Sequence, residues 1–308
     1  MKRIVLIPLF LLLPAVASAY QVYVLDTILI ACIGALGLNL LIGYAGQIST
    51  GHGAFIGVGA FASALLSTRL GAPFWLSVPV AGAITALVGF GVGLPSVRIR
   101  GLYLAVSTLA AQVLISWLLS RPFLAGSGSI TAPRPEFLQD DRAYYFVLLG
   151  VLVLATMFLH NLRRTRPGRA MLAVRDRELA ASVIGIDAER VKLAAFGLSA
   201  LYAGIAGALL AHLNRSVNFE QFQLDLSIQY LAMVVIGGLG SVRGSLFGAA
   251  FVTLLPIVLR TVVASMEDVA PGASAALSSL QLILFGGVIV MFMVLRPRGL
   301  ASWKRGAS

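Results

Sequence analysis

Charged side chains are scarce in this sequence: Asp, Glu, Lys and Arg make up only 11% of its 308 residues. Hydrophobic residues make up 59%. A soluble domain normally has about a quarter charged and about half apolar residues. The composition therefore excludes an ordinary soluble domain and predicts a protein that crosses a membrane several times.

Reactive and metal-binding side chains are also few. Cys32 is the only cysteine, which excludes an intrachain disulfide, and its place in an apolar run indicates a packing role. The three histidines, His52, His160 and His212, lie far apart and form no zinc-protease pattern. No metal site is predicted. An intramembrane serine protease is not predicted either, because it needs a histidine on a later span than its serine.

Lysine is also rare, and its three positions are Lys2, Lys192 and Lys304. None follows a glycine-rich phosphate-binding loop, so the chain is not expected to bind ATP in that way, and no cofactor is predicted. The net charge of +11 does not indicate a nucleic acid partner, because the basic residues cluster beside apolar runs. The sequence thus predicts neither an enzyme nor a nucleic-acid-binding protein.

Ten apolar segments are predicted to cross the membrane as helices, since a span needs about 20 largely apolar residues. They are 4–20, 22–45, 52–68, 74–95, 102–120, 143–161, 193–213, 226–240, 244–263 and 277–295. An N-terminus in the cytoplasm leaves only six of the 23 basic residues on the outer side, which is the usual bias of membrane proteins. The chain 1–308 is therefore predicted to be a single all-α transmembrane domain with both termini in the cytoplasm.

The first segment has two possible fates. It reads MKRIVLIPLFLLLPAVASAY, with a basic start, a short apolar run and an Ala-Ser-Ala ending that resembles a signal-peptidase site. Residues 1–19 are either a cleaved signal or, as we prefer, part of a retained first span. The later spans keep the same orientation in both cases.

Glycine and polar residues interrupt the second and third apolar segments, in the stretch LGLNLLIGYAGQISTGHGAF. Unwound backbone at membrane depth survives only where it is buried in protein or lines a wet cavity. The stretch predicts a broken helix beside a translocation pathway, with tight helix packing as the alternative. The candidate pathway residues are Asn39, Tyr44, Gln47, Ser49 and His52. A weak internal echo relates LIGYAGQISTGHGAFIGVGAF at 41–61 to VIGGLGSVRGSLFGAAF at 235–251, as is common in transporters with duplicated halves.

Ion-coupled secondary transport of small polar solutes is the alternative function. Such carriers normally hold a carboxylate at mid-membrane. Asp26 lies only a few residues into its span, at the outer end, where water is expected to solvate it. The remaining acids lie in loops or near span ends, so the sequence disfavours ion coupling.

A charged segment, RAMLAVRDRELAASVIGIDAERVK at 169–192, interrupts the apolar pattern between the sixth and seventh spans. Leu172, Leu179 and Val183 recur at helical spacing, which predicts a cytoplasmic amphipathic helix that ends at Gly185. Its apolar stripe would lie on the lipid surface or in a groove of a partner protein. Because the chain has no nucleotide site of its own, a separate ATPase could bind here.

Four motifs follow one another between about residues 28 and 299: LGLNLLIGYAGQISTGHGAFIGVGAF, GLYLAVSTLA, AVRDRELAASVIGID and LAMVVIGGLGSVRGSLFGA. Together, and in the same order, they resemble the motifs of LivM-type permeases of bacterial branched-chain amino acid ABC importers. The resemblance implies a permease of the bacterial cytoplasmic (inner) membrane that works with a LivH-type paralogue, two cytoplasmic ATPase subunits and a periplasmic solute-binding protein. The solute would be a branched-chain or related amino acid, although similar proteins also import urea or short amides.

The same resemblance identifies the segment 169–192 as the coupling-helix loop. ABC importers generally carry an E-A-A-x-x-x-G pattern there; Ala180, Ala181 and Gly185 match it, while the acid stands one place early at Glu178, and the later I-x-L-P part is missing. Both alanines are expected to face the ATPase, and Gly185 to form a tight turn. The expected coupling residues are Arg175, Asp176, Glu178, Ala180, Ala181 and Gly185.

Overall fold

The computed structural model describes residues 17–97, 102–121 and 129–267, together with the single positions 283, 286, 287, 290, 291 and 294. The predicted spans 4–20 and 277–295 lie for the most part outside the described residues, as do both chain termini. The fate of the first segment and the cytoplasmic location of the termini therefore stay predictions.

Helices dominate the described residues, which confirms the prediction of an all-α membrane fold. The α-helices are α1 (Ala19–Asn39), α2 (His52–Arg69), α3 (Phe74–Val97), α4 (Leu102–Leu119), α5 (Asp141–Leu162), α6 (Arg166–Asp176), α7 (Glu178–Val183), α8 (Ala188–Asn214), α9 (Leu224–Gly237) and α10 (Val242–Glu267). A two-stranded antiparallel ribbon pairs β1 (Ser129–Thr131) with β2 (Ser216–Asn218). Each of the eight predicted spans between 22 and 263 corresponds to one of these helices.

Five helical stretches in the described part of the chain are long and apolar enough to cross a membrane. They are Ala19–Tyr44, Phe74–Pro95, Asp141–Leu162, Ala188–Asn214 and Val242–Leu259. The apolar stretches of α4 and α9 are shorter. The chain is thus a multi-pass membrane protein that combines full-length spans with shorter apolar helices.

Polar side chains determine where several helices begin. Ser18 and Gln21 form a reciprocal capping box at the start of α1, in which Ser18 N donates to Gln21 Oε1 at 2.9 Å. Asp140, Thr165 and Asp187 accept hydrogen bonds from backbone amides in the first turns of α5, α6 and α8. These bonds satisfy amides that have no partner within their own helix, and each is encoded by local sequence.

The centre of the fold is α8, which packs against α3, α2 and α1. Close approach depends on small residues: a Cβ on Gly59 of α2 would collide with the backbone of Gly204 on α8. Small residues at helix contacts are the usual means by which membrane helices pack tightly. This packing holds α1 and α2, the two helices that flank the first predicted break, against one rigid partner.

On the side predicted to face outward, Arg134 anchors the loop between α4 and α5. Its Nε donates to the carbonyl of His212 (2.6 Å) and its Nη2 to the carbonyl of Leu213 (2.8 Å), at the C-terminal end of α8. Its Nη1 forms an ion pair with Asp141 (2.7 Å). A cation at a helix C-terminus is favourable because the last carbonyls lack intrahelical partners. The loop is therefore tied to the central helix.

Candidate functional site

The chain between α1 and α2 bends back into the protein. After α1, Leu40–Tyr44 form a π-helical turn, and Gly46 adopts a left-handed conformation (φ +70°) that a residue without a Cβ takes at little cost. Nε2 of His52 then lies 2.9 Å from the carbonyl oxygen of Gly34, well inside α1. The non-helical residues 46–51 therefore run back beside the helix they follow. The predicted broken helix is confirmed.

Side chains from other helices satisfy the backbone at the start of α2. The amide of Gly53 donates to Ser227 Oγ (2.8 Å), and the amide of Ala54 donates to Gln112 Oε1 (2.7 Å). Gln112 Nε2 in turn donates to the carbonyl of Phe222 (2.7 Å). A helix that starts within a membrane protein needs such partners, because lipid offers none to its first amides.

These supporting residues were missed by the sequence analysis. Gln112 and Ser227 are buried, and so is Thr108, whose Oγ1 accepts a hydrogen bond from the amide of Thr50 at 3.0 Å. The sequence did contain a signal for Gln112, because an amide side chain in an apolar helix is energetically costly unless it has a hydrogen-bond partner. Which backbone it satisfies depends on the packing of α4 against α2, which no local pattern contains.

The candidate pathway residues are all buried: Asn39, Tyr44, Gln47, Ser49 and His52. Among the described residues, Nδ2 of Asn39, the hydroxyl of Tyr44 and Oε1 of Gln47 have no hydrogen-bond partner. Nearly all buried polar groups in proteins are satisfied by protein or by ordered water. Three orphaned groups in one short segment give the interior here the polarity that water or a polar solute requires.

Ser49 and His52 each form a hydrogen bond within the chain, and neither carries one of the orphaned atoms found in the described residues. Ser49 Oγ accepts a hydrogen bond from the amide of Gly51 (3.3 Å). His52 bonds to the Gly34 carbonyl, and its ring lies 5.3 Å from the ring of Tyr230. These contacts give both side chains a structural part in holding the returning segment.

A second break, between α9 and α10, meets the first. Gly240 has a positive φ of +76°, and its amide donates to Oδ1 of Asn39 at 2.8 Å. A Cβ on Gly43 would collide with the backbone of Gly240, so the two breaks approach as backbone against backbone. The echo between 41–61 and 235–251 therefore corresponds to two helix–break–helix elements in direct contact.

The charged segment forms two helices instead of the predicted continuous one. Arg177, between α6 and α7, is extended (φ −153°, ψ 97°), so the helical hydrogen-bond pattern stops and starts again there. The expected turn is present, because Gly185 has a φ of +86°. Residues 166–187, which contain both helices and this turn, are referred to below as the α6–α7 segment.

The α6–α7 segment exposes large apolar side chains, as the predicted apolar stripe requires. Leu179, Val183 and Ile184 are 72%, 86% and 73% exposed. Of the two alanines expected to face a partner, Ala180 is exposed, whereas Ala181 is buried against its own chain. The expectation for Ala181 is corrected, because the helix turns that residue towards the rest of the protein.

Two polar contacts attach this segment to the membrane part. The guanidinium of Arg175 donates from Nη1 to the carbonyl of Gly43 (2.6 Å), and from Nε and Nη2 to Oδ1 of Asp176 (2.9 and 2.8 Å). Glu178 Oε1 lies 2.7 Å from Nζ of Lys192, at the start of α8. Three of the six expected coupling residues thus hold the segment in place.

Asp26 contradicts the sequence analysis. Its side chain is fully buried, and its two carboxylate oxygens have no hydrogen-bond partner within the described ranges. The reason is tertiary: α1 packs along α5, which excludes the water that the position near a span end predicted. The expectation that water solvates Asp26 is therefore wrong.

Comparison with known proteins agrees with this architecture. Residues 20–293 match the family model described as branched-chain amino acid transport system / permease component. The high-affinity branched-chain amino acid transport system permease protein LivM of Escherichia coli is 31% identical over 322 residues, which cover 95% of this chain and 72% of that protein. The probable LivM and LivH permease proteins of Methanocaldococcus jannaschii are 24% and 26% identical, over 88% and 75% of this chain and 90% and 77% of their own lengths. No solved structure matches.

Proposed function

The chain belongs to the branched-chain amino acid transport permease family, and from this premise we propose that it is the membrane subunit of an ATP-driven importer. The family consists of transport components, not enzymes. The proposed solute is a branched-chain or related amino acid, and the proposed location is the bacterial cytoplasmic (inner) membrane. The chain would form half of the translocation pathway and take its energy from separate ATPase subunits.

The observation that carries the proposal is the α6–α7 segment. Large apolar side chains that stand exposed together on a polar loop mark an interaction site. Leu179, Val183 and Ile184 form such a group, and Ala180 and the turn at Gly185 lie beside them. A groove on a cytoplasmic ATPase is the proposed partner of this surface.

The remaining partners follow from the pathway and from the relatives. This chain is similar to both LivM-type and LivH-type permease proteins, and two such related chains would enclose a path between them. We therefore propose a LivH-type paralogue as the second membrane subunit, with two cytoplasmic ATPase subunits below. A periplasmic solute-binding protein would deliver the amino acid and set most of the selectivity.

Within this chain, the first break supports a role in the pathway. Asn39, Tyr44 and Gln47 bring buried polar atoms without partners in the described part of the chain to one short segment. Ser49 and His52 hold that segment in place. We propose that the first three contact water or solute during transport and that the other two position the backbone.

Ion-coupled transport is the second candidate, and one observation favours it. A buried ionisable residue in a membrane protein is a candidate for ion or proton coupling, and Asp26 has the required burial. Against it stand the family of the chain and the exposed α6–α7 segment, which an ion-coupled carrier would not need. The two candidates differ in whether the chain transports solute alone.

The decisive experiment is reconstitution. The purified chain alone should hydrolyse no ATP and should move no radiolabelled leucine into vesicles under an ion gradient. Together with the LivH-type paralogue, the ATPase subunits that co-purify with it and the solute-binding protein, it should hydrolyse ATP and accumulate leucine. ATP hydrolysis by the isolated chain, or leucine uptake driven by an ion gradient alone, would contradict the proposal.

A further inference from the structure

One guanidinium lies where three parts of the protein meet. Arg175 belongs to the cytoplasmic α6–α7 segment, and its Nη1 is 2.6 Å from the carbonyl oxygen of Gly43 in the π-helical turn after α1. A Cβ on Gly240, in the break between α9 and α10, would stand 3.4 Å from the same Nη1. The side chain therefore contacts the first break and lies directly against the second.

Two glycines, Gly46 and Gly240, lie beside the Arg175 side chain. A Cβ on Gly46 would stand 2.8 Å from Cγ of Arg175, so the aliphatic part of the arginine packs on bare backbone. Gly46 and Gly240 both have positive φ, which places their backbones where L side chains are strained. Arg175 therefore packs directly on the backbone of the first break, while its side chain stays 36% exposed.

The contact with Gly43 is also electrostatically favourable. A helix ends with carbonyl groups that have no partner of their own, and the end of the helix dipole is negative. Arg175 brings a positive charge and a hydrogen-bond donor to that end from a different part of the chain. Asp176 fixes the plane of the guanidinium by accepting from Nε and Nη2, so Nη1 is held on the carbonyl.

A hydrogen bond between the two breaks completes a continuous series of contacts that starts at Arg175. Oδ1 of Asn39 accepts from the amide of Gly240, so the ends of α1 and α9 are joined to each other as well as to Arg175. On the other side, Arg175 stands four residues before Leu179, the first of the exposed apolar group. If that surface is displaced, the movement can reach both breaks through residues in direct contact.

We propose that Arg175 is a latch that couples the α6–α7 segment to both helix breaks, so that movement of the segment by an ATPase moves the two breaks together. This inference rests on the proposed function, because it requires a partner that moves the segment. Arg175 is a positioning residue and need not touch the solute. If the arginine were only a static cap on α1, its loss would lower stability and activity together and leave the solute moved per ATP unchanged.

The test measures that ratio in the complete complex in vesicles, as radiolabelled leucine accumulated per ATP hydrolysed. The variants are Arg175→Ala, Arg175→Lys and Gly46→Ala. The controls are Arg177→Ala and Gly71→Ala. Arg177 is an exposed arginine two residues away; Gly71 has a positive φ (+62°) close to that of Gly46 (+70°), but its added Cβ would have no neighbouring atom within 4 Å. Membrane abundance and ATPase binding are measured for every variant.

We expect Arg175→Ala to lower the ratio about tenfold, as the loss of a charge-assisted hydrogen bond would. The ratio for Arg175→Lys should lie between those of Arg175→Ala and the wild type. An ammonium can reach the Gly43 carbonyl, but it lacks the planar guanidinium that also donates to Asp176. Gly46→Ala should lower the ratio by displacing the arginine, and both controls should keep the wild-type ratio.

A wild-type ratio in Arg175→Ala would overturn the latch while leaving the proposed function intact. If Arg175→Ala fails to reach the membrane, Arg175→Lys and Gly46→Ala decide: a lowered ratio at normal abundance supports the latch, and an unchanged ratio in both overturns it. A wild-type complex that couples no ATP hydrolysis to leucine uptake would refute the proposed function, and the latch with it.

Discussion

Asn39 and Gly240 stand 201 positions apart, and Oδ1 of Asn39 accepts a hydrogen bond from the amide of Gly240 at 2.8 Å. This bond joins the two helix breaks of the chain. The glycine at position 43 makes the approach possible, since any Cβ there would collide with Asn39 and with Gly240. The two glycine-rich motifs of the sequence are thus two halves of one structural junction.

The first prediction concerns this junction. Asn39→Leu should destabilise the detergent-solubilised protein by about 1–3 kcal/mol, because the amide of Gly240 loses its acceptor in a buried place. Asn39→Asp keeps an acceptor oxygen and should be milder. Asn161→Leu, at an exposed site near the end of α5, is the control and should have little effect. Thermal unfolding measures all three, and an unchanged midpoint in Asn39→Leu would show that the bond contributes nothing.

Substitutions on the exposed surface of the α6–α7 segment should prevent ATPase binding. Val183→Asp and Ala180→Trp alter positions that point away from the chain, so we expect stability within about 0.5 kcal/mol of the wild type. Co-purification of the ATPases should fall at least tenfold, because neither a charge nor a large ring fits a close-packed apolar contact. Leu70→Asp, at an equally exposed residue (74%) just after α2, should leave ATPase capture unchanged. Normal capture by both test variants would favour a lipid-surface role for the segment.

The turn at Gly185 should matter through backbone strain. A Cβ there meets no atom within 4 Å, but φ is +86°, so Gly185→Val should cost about 1–3 kcal/mol locally and redirect the turn. Transport should drop severalfold at normal membrane abundance. Gly71→Val imposes similar strain between α2 and α3 and should transport normally. Equal transport by the two variants would remove the turn from the coupling mechanism.

The ion pair between Glu178 and Lys192 should stabilise the attachment of α7 to α8. Glu178→Gln leaves a lysine side chain that is only 10% exposed without that carboxylate, and we expect a loss of about 2 kcal/mol because the site is partly solvated. The double change Glu178→Gln with Lys192→Gln should recover part of the loss. Arg190→Gln, at an exposed pair with Asp187, should change stability little. A double-mutant cycle with no coupling energy would contradict the assignment.

Asp26 provides the test between the two candidate functions. Asp26→Asn should keep leucine uptake and raise stability by about 1 kcal/mol or more, because a buried amide costs less than a carboxylate without donors. Asp225→Asn, at an exposed site in α9, is the control. Loss of uptake at normal membrane abundance, together with dependence on an ion gradient, would revive ion coupling.

Local features of the sequence determined the spans and the family. An apolar run long enough to cross a bilayer forms a helix wherever the rest of the chain lies, because lipid leaves the backbone no other partners. The helices α1 to α5 and α8 to α10 therefore appear where the hydrophobic runs predicted them, whereas the single amphipathic helix predicted in the charged segment is divided into α6 and α7. The glycine-rich breaks and the turn at Gly185 were also predictable, since the freedom of glycine in φ is a property of the residue itself. The resemblance of four ordered motifs predicted the family correctly.

Tertiary packing decided the rest, because burial and hydrogen-bond partners depend on residues far away in the chain. Asp26 sits near a span end in the sequence, yet α5 covers it. Ala180 and Ala181 are identical neighbours, and only the orientation of α7 on the protein exposes one and buries the other. No periodicity could indicate that Arg175 would reach the carbonyl of Gly43, because that contact forms only when the α6–α7 segment packs at the end of α1.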